Sequence, residues 1–138
     1  PFEMLALSAH RTPKEVEEFA TSAKERGIKV IIGAAGMAAH LCGVIASMTS
    51  IPVIGVPIKA SLEGVDALYS IVQMPPGIPV ATVGINAAEN AALLAVQMMA
   101  TSDEELYRRL EAYKESLKEK VVKANKELSE VKFAHKTN

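Results

Sequence analysis

The chain has 138 residues, which fits one domain with one core, and 49% of them are apolar although only 4% are aromatic. A net charge of −1 argues against a nucleic-acid partner, and the single cysteine excludes an intramolecular disulfide framework. No apolar run reaches the roughly 20 residues of a membrane span, and there is no signal-peptide pattern. We therefore expect a cytoplasmic protein that does not associate with membranes.

The first predicted element is a strand over residues 2–7, which are mostly apolar on both faces. It leads into Ser8-Ala9-His10-Arg11-Thr12, where a hydroxyl, an imidazole and a guanidinium lie within four residues. A Thr-x-x-Glu capping box at Thr12, with Pro13 next, predicts a helix that ends at Gly27. Ligands of open α/β sheets bind where strands end and helices begin, so this junction is a candidate site.

Three more strands are predicted at residues 28–32, 52–56 and 79–83. Pro57 is expected to end the strand at residues 52–56. Gly33-Ala34-Ala35-Gly36 is expected to be a loop, and residues 37–48, apolar nearly all round, predict a buried helix that carries His40 and Cys42. Short strands that alternate with helices are typical of a parallel sheet covered on both sides. The loops after the strands would then gather at one edge of the sheet.

The composition changes at Thr101, beyond which charged residues dominate. Apolar residues still recur three or four positions apart and predict one long amphipathic helix: Leu106, Leu110, Tyr113, Leu117, Val121, Ala124, Leu128 and Val131. Ser102 and Glu105 form a capping box at its start. We expect residues 1–100 to form the α/β domain and residues 101–138 a helical extension that packs on that domain or on a neighbouring subunit.

His10 and Arg11 are the residues best suited to chemistry. Imidazole titrates near neutral pH and can carry a proton in either direction, and a guanidinium can hold a phosphate by two parallel hydrogen bonds. The alternative is a strand-end loop with a surface arginine and a capping histidine. For His40, a buried structural role and a position lining the pocket both stay open, while Cys42 is expected to be a core residue.

Gly33-Ala34-Ala35-Gly36 matches neither a Walker loop nor a dinucleotide fingerprint. It is either a tight turn or a surface of backbone groups that a flat ring could approach closely, because the side chains are so small. No set of His, Cys or carboxylate residues has the spacing of metal ligands, so we expect no metal.

Five segments, taken in order, resemble the small carboxyaminoimidazole ribonucleotide mutases of purine biosynthesis. They cover the chain from about residue 2 to residue 100: Ser8-Ala9-His10-Arg11-Thr12-Pro13, Gly36-Met37-Ala38-Ala39-His40-Leu41, Pro52-Val53-Ile54-Gly55-Val56-Pro57, Ser70-Ile71-Val72-Gln73-Met74-Pro75 and Gly77-Ile78-Pro79-Val80-Ala81-Thr82-Val83. The resemblance implies a flavodoxin-like three-layer α/β sandwich with a parallel sheet, to which the long C-terminal amphipathic helix is added. It also implies a homo-octamer with sites at subunit boundaries.

The resemblance further implies an isomerase that moves a carboxylate from an exocyclic nitrogen of an aminoimidazole ribonucleotide to ring carbon C4, with CO2 as the intermediate and no cofactor. His10 matches the catalytic proton carrier, and Ser8 and Arg11 match positions that hold the phosphate. The loop beside the ring and CO2 corresponds to Ala34, Ala35 and Gly36, and the histidine–leucine pair that lines the pocket to His40 and Leu41. The alternatives are a sister carboxylase that takes CO2 directly, and a non-catalytic nucleotide-binding or assembly subunit.

The sequence departs from the pattern of these mutases in two places. Met37 and Cys42 stand where the relatives often have glycine and proline, and a strand, a Gly-x-x-Ser-Asp turn and a helix that precede the Ser-Ala-His-Arg segment in relatives are not found here. In the flavodoxin-like order that strand would lie between the first two strands of this chain. Loss of a central strand exposes backbone groups, so we expect these residues to be part of a larger folded unit.

Overall fold

The computed structural model describes residues 1–137. They divide into two compact units, the first over residues 1–99 and the second from Ala100 onward. The first unit contains the sheet, whose three strands are parallel in the order β1 (Ile31–Gly36), β2 (Val53–Ile58) and β3 (Ala81–Thr82). Every residue of β1 pairs with one of β2, whereas β3 pairs only with Ile54 and Gly55. β2 is therefore the central strand, with a paired neighbour on each side.

Helices cover both faces of this sheet. They are α1 (Pro13–Ser22), α2 (Leu41–Met48), α3 (Val65–Val72), preceded by a 3-10 turn at Leu62–Gly64, and α4 (Ala88–Ala100). Successive residues of a strand face opposite sides of a sheet. Accordingly, Val53 belongs to a core cluster with α1, α2 and α3 residues, while Ile54 and Val56 belong to a second cluster with α4 residues. This three-layer arrangement confirms the predicted flavodoxin-like α/β fold.

The prediction of a strand at residues 2–7 is wrong. These residues pair with no strand among those described, and their side chains are largely exposed, with Phe2 at 88% and Met4 at 87%. Apolar composition favours burial, but extended backbone becomes a strand only when a neighbouring strand exchanges ladder hydrogen bonds with it. β1 exchanges such bonds with β2 alone, so the segment stays outside the sheet.

The predicted loop Gly33-Ala34-Ala35-Gly36 is also wrong, because these four residues are the second part of β1. They pair with Gly55 to Ile58 of β2, and that ladder holds them extended. The helix expected from residue 37 begins only at Leu41. Met37 has φ +57°, a left-handed conformation that an α-helix cannot contain. A glycine would adopt this conformation without steric cost.

Pro57 does not end its strand, contrary to expectation, since β2 continues through Ile58. The pairing of β2 with β3 stops at Gly55, before the chain reaches Pro57. Proline has no N–H, but no hydrogen bond to β3 is lost, because the ladder on that side has already ended. The Pro57 carbonyl is used, accepting a hydrogen bond from the backbone N–H of Asn86 at 2.8 Å. The fourth predicted strand, residues 79–83, is reduced to the two residues of β3.

The second unit contains the long predicted helix, α5 (Glu104–Glu130). Its N-cap is Asp103, whose carboxylate accepts from the N–H of Leu106 at 2.9 Å, so the cap lies one residue after the predicted Ser102. The apolar stripe is largely exposed in its second half, with Leu117 at 47%, Val121 at 70% and Leu128 at 58%. The helix itself is confirmed.

Candidate active site

The segment before α1 folds into a turn closed by Ser8 and Thr12. The N–H of Thr12 donates to the Ser8 carbonyl at 2.9 Å, and the Thr12 hydroxyl both accepts from the Ser8 N–H at 2.9 Å and donates to the Ser8 carbonyl at 3.1 Å. Thr12 occupies the N-cap position, but its side chain closes this turn and makes no capping bond to α1. The predicted capping box is therefore replaced by a turn that fixes the backbone of His10 and Arg11.

The Ser8 hydroxyl lies inside this turn, where it accepts from the N–H of Arg11 at 3.2 Å. The side chains of His10 and Arg11 point outward and are exposed. Among residues 1–137 the Arg11 guanidinium takes part in no hydrogen bond or ion pair. An exposed guanidinium on a well-fixed backbone is available for an anionic ligand.

His10 meets His40, a residue 30 positions further along the chain. The Nε2 atom of His10 lies 2.9 Å from Nδ1 of His40, and the two rings meet edge to face with centroids 5.0 Å apart. One nitrogen must donate and the other accept, so the proton positions on the two facing nitrogens are coupled. The structure thus brings together two of the site residues predicted from separate motifs.

The position of His40 follows from the way that β1 ends. Met37 turns the chain out of the strand in its left-handed conformation, and His40 then occupies the N-cap position of α2. Its N–H donates to the Ala38 carbonyl at 2.8 Å and its own carbonyl accepts from Val44 at 3.0 Å. His40 is exposed at the helix start, so the alternative of a buried structural histidine is wrong.

Small residues lead up to this histidine pair along β1. Ala34 is exposed, and Ala35 and Gly36 are half-buried at the carboxyl end of the strand. A Cβ atom on Gly36 would lie 3.0 Å from Cβ of Ala60 and 3.1 Å from the carbonyl oxygen of Ile58, so a side chain there would displace the neighbouring loop. Leu41, next to His40, is half-buried and packs against the core.

Cys42 lies in the core behind the site, as predicted. Its side chain is fully buried, and Sγ donates to the Gly33 carbonyl at 3.3 Å. Burial raises the pKa of this thiol to about 11, so it stays protonated at neutral pH. Cys42 therefore links α2 to β1 and is no nucleophile.

Asn86 follows Gly84 and Ile85 after the fourth predicted strand, and the sequence marks it only as a turn residue. In the structure its side-chain Oδ1 accepts from the N–H of Lys59 at 3.0 Å, while its backbone holds the Pro57 carbonyl. Asn86 has φ +58°, a conformation that asparagine tolerates better than most residues. The Gly-Ile-Asn turn after the fourth predicted strand was the only available signal.

Residues 1–137 hold no group of three or more His, Cys, Asp or Glu side chains placed to bind a metal ion. Over the same residues, the helices are too short or too polar to cross a bilayer.

This parallel three-layer unit belongs to the class of open α/β proteins, which bind ligands at the carboxyl edge of the sheet. His10 meets His40 just after β1 ends at that edge, and Arg11 follows His10 in the chain. Residues 1–120 match the family model described as AIR carboxylase, and the chain belongs to this family.

The similar proteins fall into two groups by name, mutases and carboxylases. The chain is 58% identical over 118 residues to the N5-carboxyaminoimidazole ribonucleotide mutase of Pyrococcus abyssi, covering 85% of this chain and 68% of that protein. It is 49% identical to the mutase of Thermotoga maritima, covering 99% and 81%. The phosphoribosylaminoimidazole carboxylase of Saccharomyces cerevisiae is 55% identical over 91% of this chain, which spans only 22% of that longer protein.

Proposed function

We propose that this protein is an isomerase of purine biosynthesis that converts N5-carboxyaminoimidazole ribonucleotide to 4-carboxyaminoimidazole ribonucleotide. The observation that carries the proposal is the contact of His10 with His40 at 2.9 Å, beside an unpaired Arg11. Membership of the AIR carboxylase family and the mutases at 49–58% identity support it. The carboxylases that match are much longer proteins of which this chain covers about a quarter, so the mutase is favoured over the direct carboxylase.

In the proposed reaction the carbamate N–C bond breaks and releases CO2, and the exocyclic nitrogen takes up a proton. Ring carbon C4 then attacks the CO2 held in the pocket, forming the new C–C bond, and the proton on C4 leaves. One proton is therefore gained and one is lost, so a single imidazole can supply the first and accept the second. We assign that role to His10, which His40 contacts through a ring nitrogen.

The remaining site residues receive roles that agree with their positions. Arg11 offers a free guanidinium to the ribonucleotide phosphate, and Ser8 shapes the turn that presents it. Ala34, Ala35 and Gly36 leave room beside the ring and CO2 at the end of β1. His40 and Leu41 line the pocket at the point where α2 begins. These assignments use no metal and no organic cofactor.

We also propose that the protein is cytoplasmic and works as a homo-octamer, as predicted from the sequence. The C-terminal extension supports the assembly, because α5 leaves an apolar stripe exposed at Leu117, Val121 and Leu128. A stripe of this kind is stabilised when a neighbouring surface covers it. We assign residues 101–138 to packing on the α/β domain or on a neighbouring subunit.

The decisive test is the His10→Asn variant, with His135→Asn as the matched control in the tail. Asparagine retains hydrogen-bonding atoms but cannot carry a proton at neutral pH. We expect kcat on the carbamate to fall on the order of 10³-fold while ligand binding weakens far less, and His135→Asn to be unaffected. Unchanged turnover in His10→Asn would remove His10 from the mechanism.

A second measurement separates the mutase from its rivals. Wild-type protein is supplied either with the carbamate or with the unmodified aminoimidazole ribonucleotide and bicarbonate. Turnover of the carbamate at far lower concentrations identifies the mutase. Preference for the unmodified ribonucleotide with bicarbonate identifies the carboxylase, and binding of both without turnover identifies a non-catalytic subunit.

A further inference from the structure

The loop that follows β2, residues 59–64, contains a rare backbone conformation. Leu62, Glu63 and Gly64 have φ values of +42°, +55° and +86°, so three successive residues are left-handed. For residues other than glycine this conformation is strained. Leu62 gains no burial in exchange, since its side chain is 76% exposed. Such strain persists only where the surroundings hold the backbone in place.

Contacts at the far end of this loop show part of what holds it. The N–H of Gly64 donates to the Ser61 carbonyl at 2.7 Å, and the Ser61 hydroxyl contacts the carboxylate of Asp66. Gly64 is buried, and a Cβ atom there would lie 2.7 Å from Cγ2 of Ile85. The end of the loop is thus packed against the segment that immediately precedes Asn86.

The near end of the loop is held by Asn86 itself. Its backbone N–H donates to Pro57 and its Oδ1 accepts from Lys59, so one residue contacts the chain on both sides of Ile58. An ion pair between Lys59 and Glu63 spans the loop, but both side chains are more than half exposed, and such pairs are worth little. The hydrogen bond that the Lys59 N–H donates to Asn86 is therefore the principal restraint at Lys59.

This loop touches the proposed site through Ala60. Its Cβ lies 3.0 Å from the position that a Cβ on Gly36 would take, so the Ala60 methyl lies directly over the end of β1. Gly36 is the last residue of that strand and begins the turn that leads to His40. Any shift of the loop start changes the space above Gly36.

We propose that Asn86 is a positioning residue for the reaction, an inference that rests on the proposed function. By holding the Lys59 N–H it sets Ala60 over Gly36 and so shapes the pocket for the aminoimidazole ring, without touching the proton carrier. Its effect is on substrate affinity and not on the proton transfer at His10.

The test compares Asn86→Gly with Asn86→Asp in the full chain. Glycine adopts φ +58° freely and keeps the backbone bond to Pro57, but it lacks Oδ1, whereas aspartate keeps an acceptor in the same place. We expect the Lys59 amide to lose protection from hydrogen exchange in Asn86→Gly only. In that variant KM for the carbamate rises about five- to tenfold, as expected for loss of one hydrogen bond, with kcat and its pH profile unchanged.

Each other outcome overturns the inference in a recognisable way. Loss of Lys59 protection with unchanged KM shows that the loop does not shape the pocket and leaves the proposed function intact. A merely structural role lowers the amount of active protein, which reduces kcat at unchanged KM in both variants. A raised KM in Asn86→Asp with Lys59 still protected assigns the effect to charge. Wild-type protein without turnover on either substrate removes the proposed function and this inference together.

Discussion

The two units of the chain use apolar side chains in opposite ways. In residues 1–99, α1, β2 and α3 each bury at least one large apolar side chain completely, with Val16, Ile54 and Ile71 at 0% exposure. On α5 the stripe residues Leu117, Val121 and Leu128 are 47–70% exposed. A closely packed interior transmits a displacement of one atom to its neighbours, whereas an exposed stripe does not. Substitutions in the first unit should therefore alter geometry and chemistry, and those on α5 only association.

After that of His10 itself, the largest effect is expected at His40, where packing serves chemistry. In His40→Phe the ring and its edge contact with His10 are kept, but the nitrogen 2.9 Å from His10 Nε2 is lost. A hydrogen bond to a group that becomes charged is worth about 1.5–3 kcal/mol, so kcat/KM should fall about 10- to 100-fold and its pH profile should shift. His135→Phe serves as the control. An unaltered pH profile would show that the two rings are neighbours without functional coupling.

The next effect concerns the interior behind the site. A Cβ atom on Gly33 would lie 2.7 Å from Sγ of Cys42 and 3.7 Å from its Cβ, so only the sulfur clashes. Gly33→Ala should lower the free energy of unfolding by about 1–3 kcal/mol. Adding Cys42→Ala should recover part of that loss, giving a double variant more stable than the sum of the two changes. Denaturant unfolding measures this, and strict additivity would contradict the close contact.

The smallest effect on the isolated chain is expected on α5. Val121→Lys changes the apolar stripe, and Val122→Lys makes the same change beside it at a similar exposure of 65%. Both should alter the unfolding free energy by less than about 0.5 kcal/mol. Only Val121→Lys should reduce the mass of the proposed assembly in light scattering. Equal disruption by Val122→Lys, or a loss of stability comparable to that of Gly33→Ala, would erase the contrast between the two units.

Local patterns predicted the helices well. Pro13 begins α1 and Gly27 has the expected left-handed conformation at φ +81°, but the helix ends at Ser22 and not at Gly27 as predicted. The helix at Glu104–Glu130 also follows its predicted span closely. These features depend on residues three or four positions apart, which the sequence displays directly. Strands were predicted less well. Residues 2–7 are mostly apolar but form no strand, and residues 33–36 have the small side chains of a loop but belong to β1.

For the same reason, the residues of the candidate site could be predicted but the contacts between them could not. His10, Arg11 and His40 stand out as chemical groups near strand ends, and they could be selected from the sequence. That His10 and His40 touch could not be predicted, because they are 30 residues apart. Asn86 was missed because its contact with Lys59 joins residues 27 positions apart.

The sequence by itself determined the helical segments, the parallel α/β class and the residues able to carry a proton or hold a phosphate. Only the tertiary structure decided which apolar segments joined the sheet, which histidines met and what held the loop over Gly36. The physical reason is that helix signals come from neighbours along the chain, whereas ladders and side-chain contacts need a partner brought near by folding.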